Sequence, residues 1–183
     1  MPACTGAHPS IAMRCVSRLL LLCLSWAAAG AWAAAPLVDP AQTKALGESG
    51  ARLIDVREAS AYAMQHVPGA VSAPYPRWRA PGANPGLPPA PAELTALVQE
   101  LGLSPGTPVV IAYTAIDGTD SGGAARVCWT LKSLGVQQLS ILNGGLTAWK
   151  AAGLPVSNQA SAVARSAWQP QFNPQWMATR EQV

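Results

Sequence analysis

Cysteine is scarce in this sequence, and its distribution limits the chemistry open to the chain. Three of the four cysteines, Cys4, Cys15 and Cys23, lie near the start, and only Cys128 stands further along. A single cysteine cannot close an internal disulfide, so packing has to stabilise the part of the chain that contains it. The sequence also has no cluster of cysteine and histidine at metal-ligand spacing. We therefore expect no metal and no cofactor.

The apolar run near the start of the chain is too short to be a clear membrane span. It covers residues 19–35, which is 17 residues and the short limit for a span, and much of it is alanine. Arg14 and Arg18 precede it, and Ala31-Trp32-Ala33 is a small-x-small site of the kind that signal peptidase cleaves. We predict a signal peptide over residues 1–33, with translation starting at Met13, and an exported, periplasmic protein. A retained membrane anchor is the alternative.

An excess of one charge is absent as well. Lys and Arg number 12 against 9 Asp and Glu, and loss of Arg14 and Arg18 with the signal peptide leaves ten basic side chains against nine acidic ones. A nearly neutral protein has no electrostatic attraction for nucleic acid or for an anionic membrane surface. We expect neither as a partner after cleavage.

The remaining 150 residues are enough for one domain with a real core. Their patterns alternate between short apolar strands and helices. Strands are predicted at 52–56, 109–113 and 139–142, and helices at 59–65, 91–101, 123–134 and 146–152. Residues 74–91 are dense in proline and glycine and predict a long surface loop. The alternation predicts an α/β domain, with a short, mostly parallel sheet and helices on both faces.

Three short motifs follow one another along this predicted domain. They are Leu53-Ile54-Asp55-Val56-Arg57 with Tyr62 and His66-Val67-Pro68-Gly69-Ala70; strand 109–113 leading to Ala124-Ala125-Arg126-Val127-Cys128-Trp129; and Leu142-Asn143-Gly144-Gly145-Leu146 with Trp149, Gly153 and Pro155. Together they resemble the rhodanese domain, the thiosulfate sulfurtransferase fold, over residues 36–158. The resemblance is greatest to the N-terminal half of tandem-domain rhodaneses, which typically lacks the catalytic cysteine that the second half carries.

The resemblance implies a mainly structural role for most of the motif residues. In the family, the acid and arginine of the first motif organise loops at the carboxyl edge of the sheet, and the histidine precedes a turn. The residues concerned here are Asp55, Arg57, His66, Pro68, Gly69, Arg126, Gly144, Gly145 and Trp149.

The strand-end position is where sulfur transfer would need a thiolate, which attacks the outer sulfur of the donor and holds it as a persulfide. A helix N-terminus facing that position lowers a thiol pKa. Judged from the strand end, Thr114 occupies this position, and the loop that follows contains two carboxylates and no basic residue before Arg126. We expect no catalytic residue in this chain. The predicted degenerate active-site loop consists of Thr114, Asp117, Asp120, Ser121, Gly122 and Gly123.

Other candidates have competing interpretations. Cys128, between apolar neighbours, is predicted to be a buried inert thiol, with a redox or displaced nucleophilic role as the alternative. Gly122 and Gly123 are predicted to open a helix, with an anion cradle as the alternative. Arg77-Trp78-Arg79 predicts a solvated surface around a packed tryptophan, with an anion- or partner-binding patch as the alternative. Ser121, with His66 and either Asp117 or Asp120, has the residue types of a catalytic triad, but no nucleophile-elbow motif supports it.

The tail, residues 159–183, is rich in Gln and Pro and cannot build its own core. Its aromatics, Trp168, Phe172 and Trp176, should lie against another surface, and Thr179 is predicted to cap a helix start. The resemblance makes this tail a linker, in a chain that is the front part of a two-domain sulfurtransferase or descends from one by truncation. The expected partners are a second rhodanese domain, in cis or as a separate chain, and a small sulfur-containing anion. The competing hypothesis is a stand-alone, non-catalytic module that binds an anion, a thiol-bearing partner or another protein through residues 114–123.

Overall fold

A parallel sheet runs through the described part of the chain, which comprises residues 35–82 and 86–178 of the computed structural model. Its strands in sequence order are β1 (Leu37–Val38), β2 (Arg52–Asp55), β3 (Val71–Ser72), β4 (Val109–Ala112) and β5 (Leu139–Leu142). They lie side by side in the order β1-β5-β4-β2-β3, and every neighbouring pair is parallel. In the central pair, Arg52 lies opposite Val109 and Asp55 opposite Ala112. The carboxyl ends of β2 and β4 therefore meet at one edge of the sheet.

Helices cover both faces of this sheet. They are α1 (Pro40–Glu48), α2 (Ala59–Met64), α3 (Pro91–Glu100), α4 (Gly118–Ser133) and α5 (Gly145–Ala151). Because side chains alternate along a strand, Val109 and Ile111 of β4 join a core with α3 and α4, while Val110 and Ala112 join a second core with α5. Leu46 of α1 packs against the second core. The predicted α/β class, with a mostly parallel sheet between two helical layers, is confirmed.

Two strands and one α-helix of the structure were absent from the sequence-based prediction. Strands β1 and β3 are two residues long, too short to show a periodic pattern. Helix α1 buries only Thr43, so it has no apolar stripe either. Its start is set by capping instead: the Asp39 carboxylate accepts from the backbone N–H of Gln42 at 2.7 Å, and the Gln42 side chain accepts from the backbone N–H of Asp39 at 2.9 Å.

Helix α4 begins at Gly118, so the prediction of a helix start at Gly123 is wrong. Asp117 caps the helix, its Oδ1 accepting from the backbone N–H of Asp120 at 2.9 Å. Gly122 and Gly123 lie inside the helix and do not open it. The low helix propensity of glycine misled the prediction. At Gly123 an added Cβ would lie 3.6 Å from the ring of Tyr75, an ordinary van der Waals contact, so packing does not require glycine there.

The proline-rich loop contains a short 3₁₀ helix, Tyr75–Trp78. Trp78 is fully buried, and its indole N–H donates to the carbonyl of Ala73 at 3.0 Å. The packed tryptophan predicted for this loop is confirmed.

The tail folds back onto α3 and α4. The backbone N–H of Ser166 donates to the carbonyl of Gln99 at 3.0 Å, and that of Asn173 donates to the carbonyl of Ser133 at 2.7 Å. Trp168 and Phe172 pack against the first core, while Trp176 remains 45 % exposed beneath Lys132. The tail aromatics thus lie against the domain. The predicted signal peptide and the helix start at Thr179 fall outside the described residues.

Residues 35–82 and 86–178 include no helix with the length and apolar character needed to cross a membrane.

Candidate functional site

The loop between β4 and α4 is shorter than predicted, because α4 starts early. Within it, Ala115 has a left-handed backbone with φ of 67°, and Ile116 is 79 % exposed. The Asp120 carboxylate reaches back from the first turn of α4, where its Oδ2 accepts from the backbone N–H of Ala115 at 2.6 Å and from that of Ile116 at 3.2 Å. The N–H groups at this strand end therefore already bind an internal carboxylate.

The first turn of α4 gathers most of the predicted loop residues. The hydroxyl of Ser121 donates to the backbone carbonyl of Asp117 at 3.2 Å. The carboxylates of Asp117 and Asp120 lie at the positive end of the helix dipole and offset it. Thr114, Asp117, Asp120 and Ser121 thus lie along the strand-end loop and the first turn, whereas Gly122 and Gly123 follow within the helix.

The start of α5 holds this loop from the other side. The hydroxyl of Thr147 donates to the carbonyl of Thr114 at 2.7 Å, and the backbone N–H of Leu146 donates to the carbonyl of Tyr113 at 2.7 Å. Gly145, with φ of 55°, makes the approach feasible, since an added Cβ would lie 2.5 Å from the Tyr113 carbonyl oxygen. Gly144 is also left-handed, with φ of 71°. The sequence analysis did not predict that Thr147 bonds to this loop, although its hydroxyl follows the Gly-Gly turn closely in the sequence.

Asp55 and Arg57 form a buried ion pair at the end of β2. Arg57 Nη2 lies 2.6 Å from Asp55 Oδ2, and the Arg57 backbone N–H donates to Asp55 Oδ1 at 3.0 Å. The same guanidinium nitrogen donates to the carbonyl of Gln65 at 2.6 Å. The pair therefore ties the end of β2 to the residue that follows α2.

His66 lies with its ring fully buried and stacked on Tyr62, with ring centroids 3.8 Å apart. Its ring nitrogens contact the carbonyl oxygens of Tyr62 and Gln159, and the Ser121 hydroxyl is bonded to Asp117. A Ser–His catalytic pair is therefore not assembled. The turn after His66 contains Pro68 and Gly69, which has φ of 80°.

Arg126 and Trp149, the other motif residues, have partners away from the loop. One guanidinium nitrogen of Arg126 donates to the carbonyl of Gly86 at 2.5 Å, and the guanidinium lies 4.5 Å from the ring centroid of Trp129. Trp149 is buried, and its indole N–H donates to the carbonyl of Pro155 at 2.8 Å. The nearest downstream cation is thus not directed at the strand-end N–H groups.

Cys128 is a free thiol that is partly buried against the first core, so it is more exposed than the buried thiol that was predicted. Burial nevertheless raises the pKa of the Cys128 thiol, and the smaller, opposite effect of the Lys132 charge does not cancel it.

We predict that Cys128 reacts slowly with iodoacetamide at pH 8. Its raised pKa reduces the thiolate fraction and burial shields the sulfur, so alkylation of folded protein should be on the order of tenfold slower than that of protein unfolded in urea. Mass spectrometry of quenched samples measures both rates. Equal rates would contradict this account of the thiol.

The described residues contain no group of three or more His, Cys, Asp or Glu side chains placed to hold a metal ion.

Comparison with known proteins identifies the family. The family model described as the rhodanese-like domain matches residues 39–152. The chain therefore belongs to the rhodanese-like sulfurtransferase family. Among curated relatives, it is 38 % identical over 137 residues to the thiosulfate sulfurtransferase of Azotobacter vinelandii, covering 73 % of this chain and 49 % of that protein. It is 41 % identical over 99 residues to the thiosulfate sulfurtransferase of Pseudomonas aeruginosa, covering 53 % of this chain and 35 % of that protein.

Solved structures show the same fold. SseA from Escherichia coli, whose structure is described with the rhodanese fold, aligns with a TM-score of 0.64 at 24 % identity, over 76 % of this chain and 56 % of that one. An anaerobic ergothioneine biosynthesis enzyme from Chlorobium limicola aligns with a TM-score of 0.65 at 22 % identity, over 78 % of this chain and 38 % of that one. The chain spans about half the length, or less, of the curated relatives described above.

Proposed function

We propose that this chain is the cysteine-free supporting half of a tandem-domain thiosulfate sulfurtransferase, and that residues 1–33 direct its export to the periplasm. In this proposal the sulfur-carrying thiolate belongs to a second rhodanese domain, in cis or on a separate chain. The observation that carries it is the strand-end loop, where Thr114 stands at the expected nucleophile position and Asp120 occupies the N–H groups of Ala115 and Ile116.

Electrostatics at the loop oppose an anionic sulfur donor. A like charge about 4 Å away costs about 1 kcal/mol in water and about 4 kcal/mol at the effective dielectric of a protein surface. Asp117 and Asp120 both stand at the start of α4, and the sequence from Thr114 to Ala125 supplies no cation to offset them. A thiosulfate ion would also have to displace the Asp120 carboxylate from its two backbone donors.

The comparisons support a partner domain. The thiosulfate sulfurtransferase relatives from Azotobacter vinelandii and Pseudomonas aeruginosa are at least twice as long as the segments they share with this chain. A second domain in such a protein would supply the chemistry that the Thr114 loop does not.

The chain without its signal peptide is expected to form no thiocyanate from thiosulfate and cyanide above the no-protein background. Residues 34–183 suit this assay, because both cores and all described elements lie within them. A Cys128→Ser variant, assayed beside it, should give the same background rate. Turnover by the wild type would contradict the proposal, and its loss in Cys128→Ser would make Cys128 the nucleophile.

The second candidate is a stand-alone module that binds a protein or a small anion through residues 114–123. In that case Ile116, which is 79 % exposed in this loop, would be the apolar contact for a protein partner. An NMR titration with thiosulfate tests the anion version. The supporting-half proposal predicts unmoved amide signals of Ala115 and Ile116, whereas saturable shifts of both would favour the anion-binding module.

A further inference from the structure

A cleft of about 410 Å³ lies between the 3₁₀ helix Tyr75–Trp78 and α3, away from the strand-end loop. Most of the residues that line it are apolar, namely Pro76, Pro81, Pro89, Ala96 and Leu97. This size and lining are typical of a site for a small molecule, in which a few polar groups set the orientation of the ligand. The charged side chains of the cleft therefore decide which molecule it fits.

The two walls of the cleft are held in place before any ligand arrives. On one wall, Trp78 is fully buried and its indole N–H donates to the carbonyl of Ala73 at 3.0 Å, which anchors the 3₁₀ helix. The prolines beside it have a fixed φ. On the other wall, Leu97 of α3 is 2 % exposed and belongs to the first core. A ligand therefore binds without ordering the backbone, which lowers the free-energy cost of binding.

The 3₁₀ wall supplies positive charge. Arg77 and Arg79 both line the cleft, and the Arg79 guanidinium lies 5.4 Å from the centroid of the Tyr75 ring. Arg77 Nη2 lies 2.5 Å from Glu100 Oε2 on α3, so this ion pair bridges the two walls. The Arg77 side chain is still 43 % exposed, so its other N–H groups can donate to a ligand in the cleft.

The α3 wall supplies a carboxylate at some distance from this ion pair. Glu93 lines the cleft seven residues before Glu100, which is about 10 Å along the helix, and Leu97 lies between them on the same face. Glu93 Oε2 accepts from the backbone N–H of Ala90 at 3.2 Å, and a carboxylate has further lone pairs for a second donor. Along α3 the cleft therefore presents a carboxylate, an apolar floor and then the Arg77 guanidinium.

We propose that this cleft binds a small zwitterion, a molecule whose ammonium and carboxylate groups are joined by an apolar chain. The ligand carboxylate accepts from Arg77, its ammonium group donates to Glu93, and its chain lies over Leu97. A simple anion fits less well because Glu93 repels it, and a simple cation fits less well because Arg77 repels it. The proposal is independent of the proposed function, which concerns the loop after β4.

Three probes of similar length test the two charges separately on the protein of residues 34–183. The first probe, 6-aminohexanoate, carries both charges, whereas hexanoate lacks the ammonium group and hexylamine lacks the carboxylate. In an NMR titration 6-aminohexanoate should give saturable shifts of the backbone amide signals of Ala96 and Leu97. Its dissociation constant should be roughly fivefold or more below that of either other probe, because each exposed ion pair contributes modestly.

Variants with a matched control assign the binding to the cleft. Glu93→Gln keeps an acceptor for the Ala90 N–H and should weaken 6-aminohexanoate about fivefold without weakening hexanoate. Arg77→Gln should weaken 6-aminohexanoate by a similar factor. Arg165→Gln is the control, because Arg165 Nη1 lies 3.5 Å from Oε1 of the same Glu100 but does not line the cleft. It should change the affinity by less than about twofold.

Three results would each overturn the proposal. They are the absence of saturable Ala96 and Leu97 shifts with 6-aminohexanoate in wild type, an equal affinity for hexanoate, and an equal loss of affinity in Arg165→Gln and Arg77→Gln. If Arg77→Gln does not fold, the three probes on wild type and on Glu93→Gln decide the matter.

Discussion

Replacing Asp55 with alanine is expected to lower the free energy of unfolding by about 3–5 kcal/mol, because it leaves a buried guanidinium without its counter-charge. Asp55 is fully buried and Arg57 is 8 % exposed, so water cannot replace the lost carboxylate. The change also removes the acceptor for the backbone N–H of Arg57. Urea unfolding followed by tryptophan fluorescence measures the loss.

Two further variants give this prediction a matched control. Asp55→Asn retains one oxygen acceptor and loses the charge, and its cost should lie between zero and that of alanine. The double change Asp55→Ala with Arg57→Met should be less damaging than Asp55→Ala alone, because no unpaired charge stays buried. A double variant at least as unstable as Asp55→Ala would show that the unpaired charge is not the cause.

Replacing Gly145 with alanine is the second change expected to have a large effect. A left-handed backbone with φ of 55° destabilises alanine by about 1–2 kcal/mol relative to glycine. Its Cβ would also lie 2.5 Å from the Tyr113 carbonyl oxygen and 2.9 Å from the Thr114 carbonyl carbon, so the start of α5 has to move away from the strand-end loop. We expect a total loss of roughly 3 kcal/mol or more in the free energy of unfolding.

Gly153→Ala is the matched control for Gly145→Ala. Gly153 is also left-handed, with φ of 70°, but no atom lies within 4 Å of its added Cβ. Gly153→Ala should therefore lower the free energy of unfolding only by the backbone term, about 1–2 kcal/mol. Equal losses in the two variants, measured by urea unfolding, would show that the contact with Tyr113 and Thr114 is not the source of the effect.

The sequence predicted the central sheet well because its strands are short, apolar and bounded by turns. Predicted strands at 52–56, 109–113 and 139–142 differ from β2, β4 and β5 by at most one residue. Their burial on both faces leaves an apolar signature that does not depend on distant partners. Strands β1 and β3 could not be found in this way, because two residues carry no period and their pairing is decided by neighbours far along the chain.

The residues of the candidate loop could be predicted from the sequence, but their hydrogen bonds could not. Thr114, Asp117 and Asp120 follow a strand end, which was readable. The bond from the Asp120 carboxylate to the N–H of Ala115 was not, since it depends on α4 starting at Gly118. The contact between His66 and Gln159 spans 93 positions and leaves no local pattern at either residue.

The docked tail also changes the effective concentration of anything joined beyond it. A free linker from residue 159 to residue 173 would let its far end wander by roughly 20 Å. Instead, Asn173 is bonded to Ser133 at the end of α4, and the indole N–H of Trp129 donates to the carbonyl of Trp176 at 3.1 Å. A domain attached beyond the tail would therefore be tethered at a fixed point on this surface. Its contacts with that surface would be more frequent and more uniform in orientation than with a free linker.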